Sequence, residues 1–146
     1  MIATTALQHD WTLKHWDIEQ AFLRCRIDRE ISIKLPDGCP HISGRVVRLN
    51  KTLYGLRQSP RISIQLLMQK SLEFGLERCD VQPCIFRRSS PGMKVVSLVV
   101  GVNVDDLTVT DESDECKSLR KILEDSFPTK NLGAMSYYIG CEYKRD

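Results

Sequence analysis

Residues 95–110 read VVSLVVGVNVDDLTVT, in which an apolar run, a polar turn and a second β-prone run follow one another. The run Val95–Val102 is apolar on both faces, which is typical of a strand at the centre of a sheet. Residues 107–110 predict the second strand of a hairpin, with Asp105 and Asp106 at its tip. Adjacent carboxylates resist burial unless a cation neutralises them. The tip is therefore a candidate cation site, and the alternative is an ordinary solvated Asp-rich turn.

Two helices are predicted among the strands. The first has Ser59 as its N-cap and ends at Gly75. Its apolar stripe is predicted at Ile64, Leu67, Met68 and Leu72. The second helix is capped by Asp111 or Ser113 and ends near Phe127.

The remaining β-prone segments predict strands, which are residues 11–17, 30–35, 45–49, 84–88 and 136–144. Asn131–Gly133 has the composition of a turn. Strands that alternate with tight turns and two helices are typical of an antiparallel sheet with the helices on one face. We therefore predict the α+β class.

Charge is spread unevenly along the 146 residues, although the net charge is only +2. The basic segment, residues 45–61, has no acid and contains Arg45, Arg48, Lys51, Arg57 and Arg61. Such a segment is typical of a phosphate-binding surface, and the alternative is a solvated surface.

No apolar run approaches the roughly 20 residues of a membrane span. No signal peptide is evident, so we expect an intracellular protein, cytoplasmic or nuclear, with reduced cysteines.

Two further positions bear on metal chemistry. Asp17 ends the strand predicted at residues 11–17, where a lone Asp is often a turn or helix cap. Paired with the hairpin tip, it would supply the third carboxylate of a site for two Mg²⁺ ions about 3.5–4 Å apart. Cys39-Pro40-His41 is half of a zinc site at most, because no partner follows at zinc spacing.

Six stretches, in chain order, match the motifs of one family. They are 16–23 (WDIEQAFL), 35–38 (LPDG), 49–61 (LNKTLYGLRQSPR), 104–106 (VDD), 127–133 (FPTKNLG) and 138–142 (YIGCE). Together they resemble the reverse transcriptase of copia-type LTR retrotransposons. The stretch 49–61 is the most diagnostic, being similar to K-L-x-K-[SA]-L-Y-G-L-K-Q-[AS]-P-R. Six matches in the same order argue against chance.

The resemblance implies a reverse-transcriptase palm with a ferredoxin-like, split βαβ sheet and partial fingers. It implies RNA-directed DNA synthesis by two-metal nucleotidyl transfer on an RNA or DNA primer–template with deoxynucleoside triphosphates. Asp17, Asp105 and Asp106 would bind two Mg²⁺ ions, with Mn²⁺ as an alternative. Lys130 would lie near the pyrophosphate as a proton donor.

The resemblance also implies a nucleotide and template site. Its residues would be Phe22, Arg57, Gln58, Arg61 and Val104. Phe22 would lie under the incoming sugar and exclude a 2′-hydroxyl. Residues 138–143 would form the hairpin that grips the primer.

Positions at which the sequence departs from the family's motifs leave alternatives open. Asn103 stands where the family has an aromatic residue. We expect residues 1–146 to be a partial reverse transcriptase domain of a longer polyprotein, without upstream fingers, thumb, RNase H or integrase, and to polymerise poorly alone. The alternative is a non-catalytic retrotransposon relic that binds nucleic acid weakly through residues 45–61. A third reading, an unrelated α+β domain that binds Ca²⁺ at residues 105–114, lacks the Gly and Glu of an EF-hand.

Overall fold

The fold was analysed in a computed structural model, which describes residues 2–38, 44–89, 96–111 and 115–144. In chain order the elements are α1 (Ile2–Gln8), β1 (Lys14–Ile18), α2 (Ala21–Arg24), β2 (Ser32–Lys34), β3 (Val46–Arg48), α3 (Ser59–Glu73), β4 (Glu77–Arg78), β5 (Ile85–Ser89), β6 (Val96–Asn103), β7 (Asp106–Asp111), α4 (Glu115–Glu124), β8 (Thr129–Ala134), β9 (Tyr137–Tyr138) and β10 (Cys141–Glu142). The predicted half-site Cys39-Pro40-His41 and the predicted cap Ser113 lie outside the described residues.

The main sheet has six strands in the order β4-β5-β6-β7-β1-β8. All the strand pairs that the structure describes are antiparallel. β6 lies inside the sheet and its residues are buried from Ser97 to Val102, as expected of an apolar central strand. The predicted α+β class with an antiparallel sheet is confirmed.

One face of the sheet carries the hydrophobic core. Trp16 of β1 and Leu107 of β7 lie in one buried cluster with Leu67 of α3 and Leu119 and Leu123 of α4. Because successive side chains of a strand point to opposite faces, the alternate residues of β1 and β7 point away from these helices. The candidate site lies on that second face.

The second face is partly covered by α1. A side chain on Gly101 of β6 would collide with Ile2 of α1. Gly101 pairs with Thr108, which shares its face with Asp106 two residues away. α1 therefore packs beside the hairpin tip, and glycine permits this close approach.

The packing of α3 differs from the prediction. Its fully buried positions are Ser59, Ser63, Leu67 and Ser71, four residues apart. The predicted stripe is wrong at Leu72, which is 52% exposed. Small serines let the helix backbone approach the core closely, and the buried Ser71 Oγ donates to the Leu67 carbonyl at 2.9 Å. Larger apolar side chains flank this row, namely Ile62, Leu66, Met68 and Phe74.

The ends of α3 are partly as predicted. Gln58 is the N-cap, so the prediction for Ser59 is wrong by one residue. Ser59 Oγ instead donates to the Leu53 carbonyl at 2.6 Å. Gly75 has a φ of 86° and follows the last turn, as predicted for a helix stop.

The C-terminal segment also differs from the prediction. Asn131–Gly133, predicted as a turn, lies inside β8. There Trp16 pairs with Asn131 and His15 with Gly133, so that Leu132 is an extra residue in a β-bulge. The turn-like composition has a physical basis, since Gly133 has a φ of 88° and its N–H donates to Asn131 Oδ1 at 2.9 Å.

The β-prone pattern of residues 136–144 predicted one strand, but the structure has a hairpin there, in agreement with the hairpin that the resemblance implies at residues 138–143. β9 and β10 pair through Tyr138 with Cys141 and Tyr137 with Glu142. Ile139 and Gly140 turn the chain, with φ values of 48° and 76°. A continuous strand was predicted because the apolar residues around Gly140 favour a strand and obscure this glycine as the mark of a turn.

Two remaining features of the fold are the state of the cysteines and the length of the helices. The cysteines that the structure describes, Cys25, Cys79, Cys84, Cys116 and Cys141, are free thiols. None of the helices in the described ranges is long and apolar enough to cross a membrane.

Candidate active site

The tip of the β6–β7 hairpin is a two-residue turn. Asn103 pairs with Asp106, which leaves Val104 and Asp105 to reverse the chain. Val104 has a φ of 55°, a left-handed conformation that β-branched residues rarely adopt. Strain of this kind persists where the surrounding structure holds it, and it concentrates at functional sites.

The three aspartates of the sequence analysis lie together at this tip. Asp17 of β1 pairs directly with Asp106 of β7. Directly opposed residues of antiparallel strands point to the same face, with Cβ atoms about 4.5–5.5 Å apart. Asp105 lies next to them, because its carbonyl accepts a hydrogen bond from the Ile18 N–H at 2.8 Å. The two strand ends are adjacent and antiparallel.

Burial and like charge act on the acidic tip, and the Tyr54 hydroxyl opposes them at Asp105. Burial raises the pKa of Asp105, and the charges of Asp17 and Asp106 raise it further. Its Oδ1 atom is buried and has no hydrogen-bond partner among the described residues. A cation at this atom would replace the missing partner and offset the repulsion.

The donor set fits a hard divalent cation. Carboxylate oxygens are the ligands that Mg²⁺ and Mn²⁺ prefer, and Asp105 Oδ1 is an orphaned buried acceptor. Across the described ranges, no group of three or more His, Cys, Asp or Glu side chains is arranged to hold a metal ion. Asp17, Asp105 and Asp106 are neighbours at the strand ends and do not form a metal site in this arrangement.

Lys130 extends the row of charges. Lys130 is an exposed residue of β8. It pairs with Asp17 on one side of β1, and Asp106 pairs with Asp17 on the other side. Side chains of Asp106, Asp17 and Lys130 thus follow one another on one face of three adjacent strands. The structure therefore places Lys130, which the resemblance assigns to the pyrophosphate, next to Asp17.

The aromatic residue exposed at the site is Tyr54. Phe22 is only 6% exposed, whereas Tyr54 is 56% exposed and its ring centroid lies 4.7 Å from that of Phe22. The Tyr54 hydroxyl donates to Asp105 Oδ2 at 3.3 Å. Partial burial, the Asp105 charge and this hydrogen bond raise the pKa of Tyr54. Sequence reasoning missed Tyr54, although it lies within the diagnostic stretch 49–61.

The basic segment is exposed but partly neutralised. All five basic side chains of residues 45–61 belong to exposed residues. Arg61 contacts Asp28, and Arg48 lies 3.4 Å from Glu30. Arg57 precedes the half-buried Gln58 at the beginning of α3. The structure therefore places Arg57 and Gln58 on an accessible surface, whereas Arg61 already has an acidic partner.

His15 is a second residue that sequence reasoning missed. Its Nε2 atom lies 2.9 Å from Asp106 Oδ1. It precedes Asp17 by two residues on β1, so strand alternation alone places the two side chains on one face.

Comparison with known proteins agrees with the earlier resemblance. The family described as "Reverse transcriptase (RNA-dependent DNA polymerase)" matches residues 1–146. The Retrovirus-related Pol polyprotein from transposon TNT 1-94 of Nicotiana tabacum is 31% identical over 153 residues, which cover 99% of this chain and 11% of that protein.

Two other relatives extend the comparison. The Pol polyprotein from transposon RE2 of Arabidopsis thaliana is 26% identical over 99% of the chain and 10% of its own length. The transposon Ty1-NL2 Gag-Pol polyprotein of Saccharomyces cerevisiae is 27% identical over 88% of the chain and 7% of its own length. The chain thus spans about a tenth of the length of these relatives.

Proposed function

Because the chain belongs to the reverse transcriptase (RNA-dependent DNA polymerase) family, we propose that it is the palm of a copia-type reverse transcriptase. Its activity is RNA-directed DNA synthesis on a primer–template. The order β1-α3-β6-β7-α4-β8 supports a split βαβ arrangement of ferredoxin-like type. The four strands of this unit lie in the order β6-β7-β1-β8, with β1 central. β2 and β3 form a separate small sheet, which we assign to partial fingers.

The observation that carries the proposal is the acidic tip. Asp17 of β1 faces Asp106 of the adjacent strand β7. The buried Oδ1 atom of Asp105 has no partner among the described residues. Asp17, Asp105 and Asp106 would hold two Mg²⁺ or Mn²⁺ ions. Bound there, the ions would stabilise the attacking 3′-oxygen and the leaving pyrophosphate.

The surrounding residues have complementary roles in the proposal. Lys130, opposite Asp17, supplies positive charge and a proton to the leaving pyrophosphate. Tyr54 and Phe22 form the aromatic wall beside Asp105, where a deoxyribose packs and a 2′-hydroxyl is excluded. Arg57 and Gln58 contact the template from the beginning of α3.

The direct test is Mn²⁺ binding by the full 146-residue chain, measured from the electron paramagnetic resonance signal of free Mn²⁺. We expect Asp105→Asn to weaken binding at least about 10-fold, because a carboxylate ligand is lost. Asp37→Asn, which changes an exposed aspartate after β2, is the matched control and should bind as the parent does. Equal binding by the parent and Asp105→Asn would refute the proposed site.

Primer extension on an RNA template with Mg²⁺ tests the reaction itself. Positioning of reactants supplies roughly 7–11 kcal/mol in well-oriented systems, and much of it would come from polymerase segments outside these residues. We therefore expect weak extension that Asp105→Asn abolishes and Asp37→Asn retains. Extension that survives Asp105→Asn would contradict the assigned role.

A non-catalytic nucleic-acid-binding role is the second candidate, and the exposed basic segment favours it. The logarithm of affinity should fall with the logarithm of salt concentration by about 0.9 per duplex phosphate contacted. Arg57→Ala should reduce this slope more than Arg48→Ala, because Arg48 is already near Glu30. Binding that is indifferent to salt would exclude this role.

A further inference from the structure

The contact between His15 and Asp106 has a defined direction. The Nε2 atom of His15 lies 2.9 Å from Asp106 Oδ1. An ionised carboxylate only accepts hydrogen bonds, so the imidazole N–H is the donor. The bond occupies one carboxylate oxygen and leaves the second oxygen, Oδ2, as a lone-pair donor for a cation.

The imidazole ring is held in place by its surroundings. The His15 side chain is 19% exposed. The Tyr138 ring packs edge-on against it, with centroids 5.4 Å apart and planes at 69°. Tyr138 is itself half-buried in β9. The imidazole ring is therefore packed against β9, and its N–H can orient a flexible carboxylate.

We propose that His15 is a positioning residue for Asp106, a role that rests on the proposed function of Asp106 as a metal ligand. Carboxylate ligands are themselves oriented by outer hydrogen bonds, and loss of such a partner typically costs about 10–100-fold in metal affinity. His15 acts through Asp106 and does not contact the metal. It couples the hairpin β9–β10, through Tyr138, to the geometry of the cation site.

Two substitutions separate the hydrogen bond from the ring packing. His15→Gln retains an N–H donor at a similar reach and loses the ring, whereas His15→Phe retains a ring against Tyr138 and loses the donor. With Mn²⁺ alone as the probe, we expect His15→Phe to bind about 10–100-fold more weakly than the parent. His15→Gln should bind nearly as tightly as the parent, and His9→Ala, a histidine stacked on Trp11, is the control.

The outcomes are distinguishable. Retained binding in His15→Phe, or equal loss in both His15 variants, overturns the positioning role while leaving the cation site intact. Unchanged binding in Asp106→Asn refutes Asp106 as a ligand, and with it the proposed function, whatever the His15 variants do. Circular dichroism confirms that each variant is folded.

A measurement on the unmodified chain covers the case in which a variant does not fold. The ¹⁵N resonances of the His15 ring report its hydrogen bond before and after saturation with Mg²⁺. We expect the bond to persist in the loaded state. Its disappearance would mean that His15 competes with the cation, which overturns the proposal.

Discussion

Strand β7 has an aspartate at each end, and the two ends differ in the partners that surround their carboxylates. At the closed end, Asp111 has a side chain that is 2% exposed and accepts from Lys14 Nζ at 2.9 Å and from the Cys116 N–H at 3.0 Å. At the open end, Asp106 faces Asp17, and the neighbouring Asp105 has a buried oxygen without a partner among the described residues.

The difference separates a carboxylate that has structural partners from the carboxylates that we propose as cation ligands. Although burial lowers it, hydrogen bonds with Cys116 and Asp111 raise the pKa of Lys14, so that the closed end contains its own cation. At the open end, burial and like charges raise the pKa of Asp105. Although His15 and Tyr54 contact this cluster, the buried Oδ1 atom of Asp105 has no partner among the described residues, and an external cation could occupy that position.

The largest expected effect is at the closed end. Lys14→Met leaves Asp111 buried without its cation and should lower the free energy of unfolding by about 3 kcal/mol, the low end for breaking a buried pair. Urea denaturation measures it. Lys14→Met with Asp111→Asn removes both charges, keeps an acceptor for Cys116, and should recover more than half of the loss. A loss below about 1 kcal/mol would mean that the closed end resembles a surface pair.

The response to Mg²⁺ should separate the two ends. At a Mg²⁺ concentration ten times the dissociation constant, binding to the native state adds about 1.4 kcal/mol to the free energy of unfolding. Lys14→Met should retain this increment, and Asp105→Asn should lose it. Thermal melts with Mg²⁺ or EDTA measure the increment, and an equal response in Asp105→Asn would break the comparison.

Without divalent cations, Asp105→Asn should stabilise the chain at pH 7. The raised pKa of Asp105 means that the native state holds its proton more tightly than the unfolded chain. The stabilisation of the native state by protonated Asp105 is therefore present below the ordinary Asp pKa, and it is lost as the pH rises through the raised pKa. The gain at pH 7, about 0.2–1 kcal/mol, should vanish below pH about 4. Asp111→Asn, the matched control, should destabilise at pH 7.

The smallest effect is expected from Tyr54→Phe. The Tyr54 hydroxyl donates to Asp105 Oδ2 and lowers the pKa of that carboxyl, so its removal should raise the pKa of Asp105 further. The free energy of unfolding should change by less than about 0.5 kcal/mol, because the side chain is exposed. A ¹³C titration of the Asp105 carboxyl measures the shift, and a fall in its pKa would contradict the assignment.

Local pattern predicted the hairpin well and the helix face poorly. The apolar run, the Asp pair and the second β-prone run correspond to β6 and β7 because strand alternation and turn chemistry act over a few residues. The buried row of α3, through Ser59, Ser63 and Ser71, was not predictable, since hydrophobic patterning assigns small polar residues to solvent. Only the close approach of the helix to the core explains their burial.

The sequence by itself determined the α+β class, the antiparallel sheet and the family, and it supplied the three carboxylates that we propose as metal ligands. These depend on short-range periodicity and on motifs that are read in order along the chain. The tertiary structure decided which residues from distant parts of the chain contact these carboxylates. Tyr54 and His15 reach the acidic tip from 51 and 91 positions away in the chain, and contacts at such separations depend on how strands and loops pack.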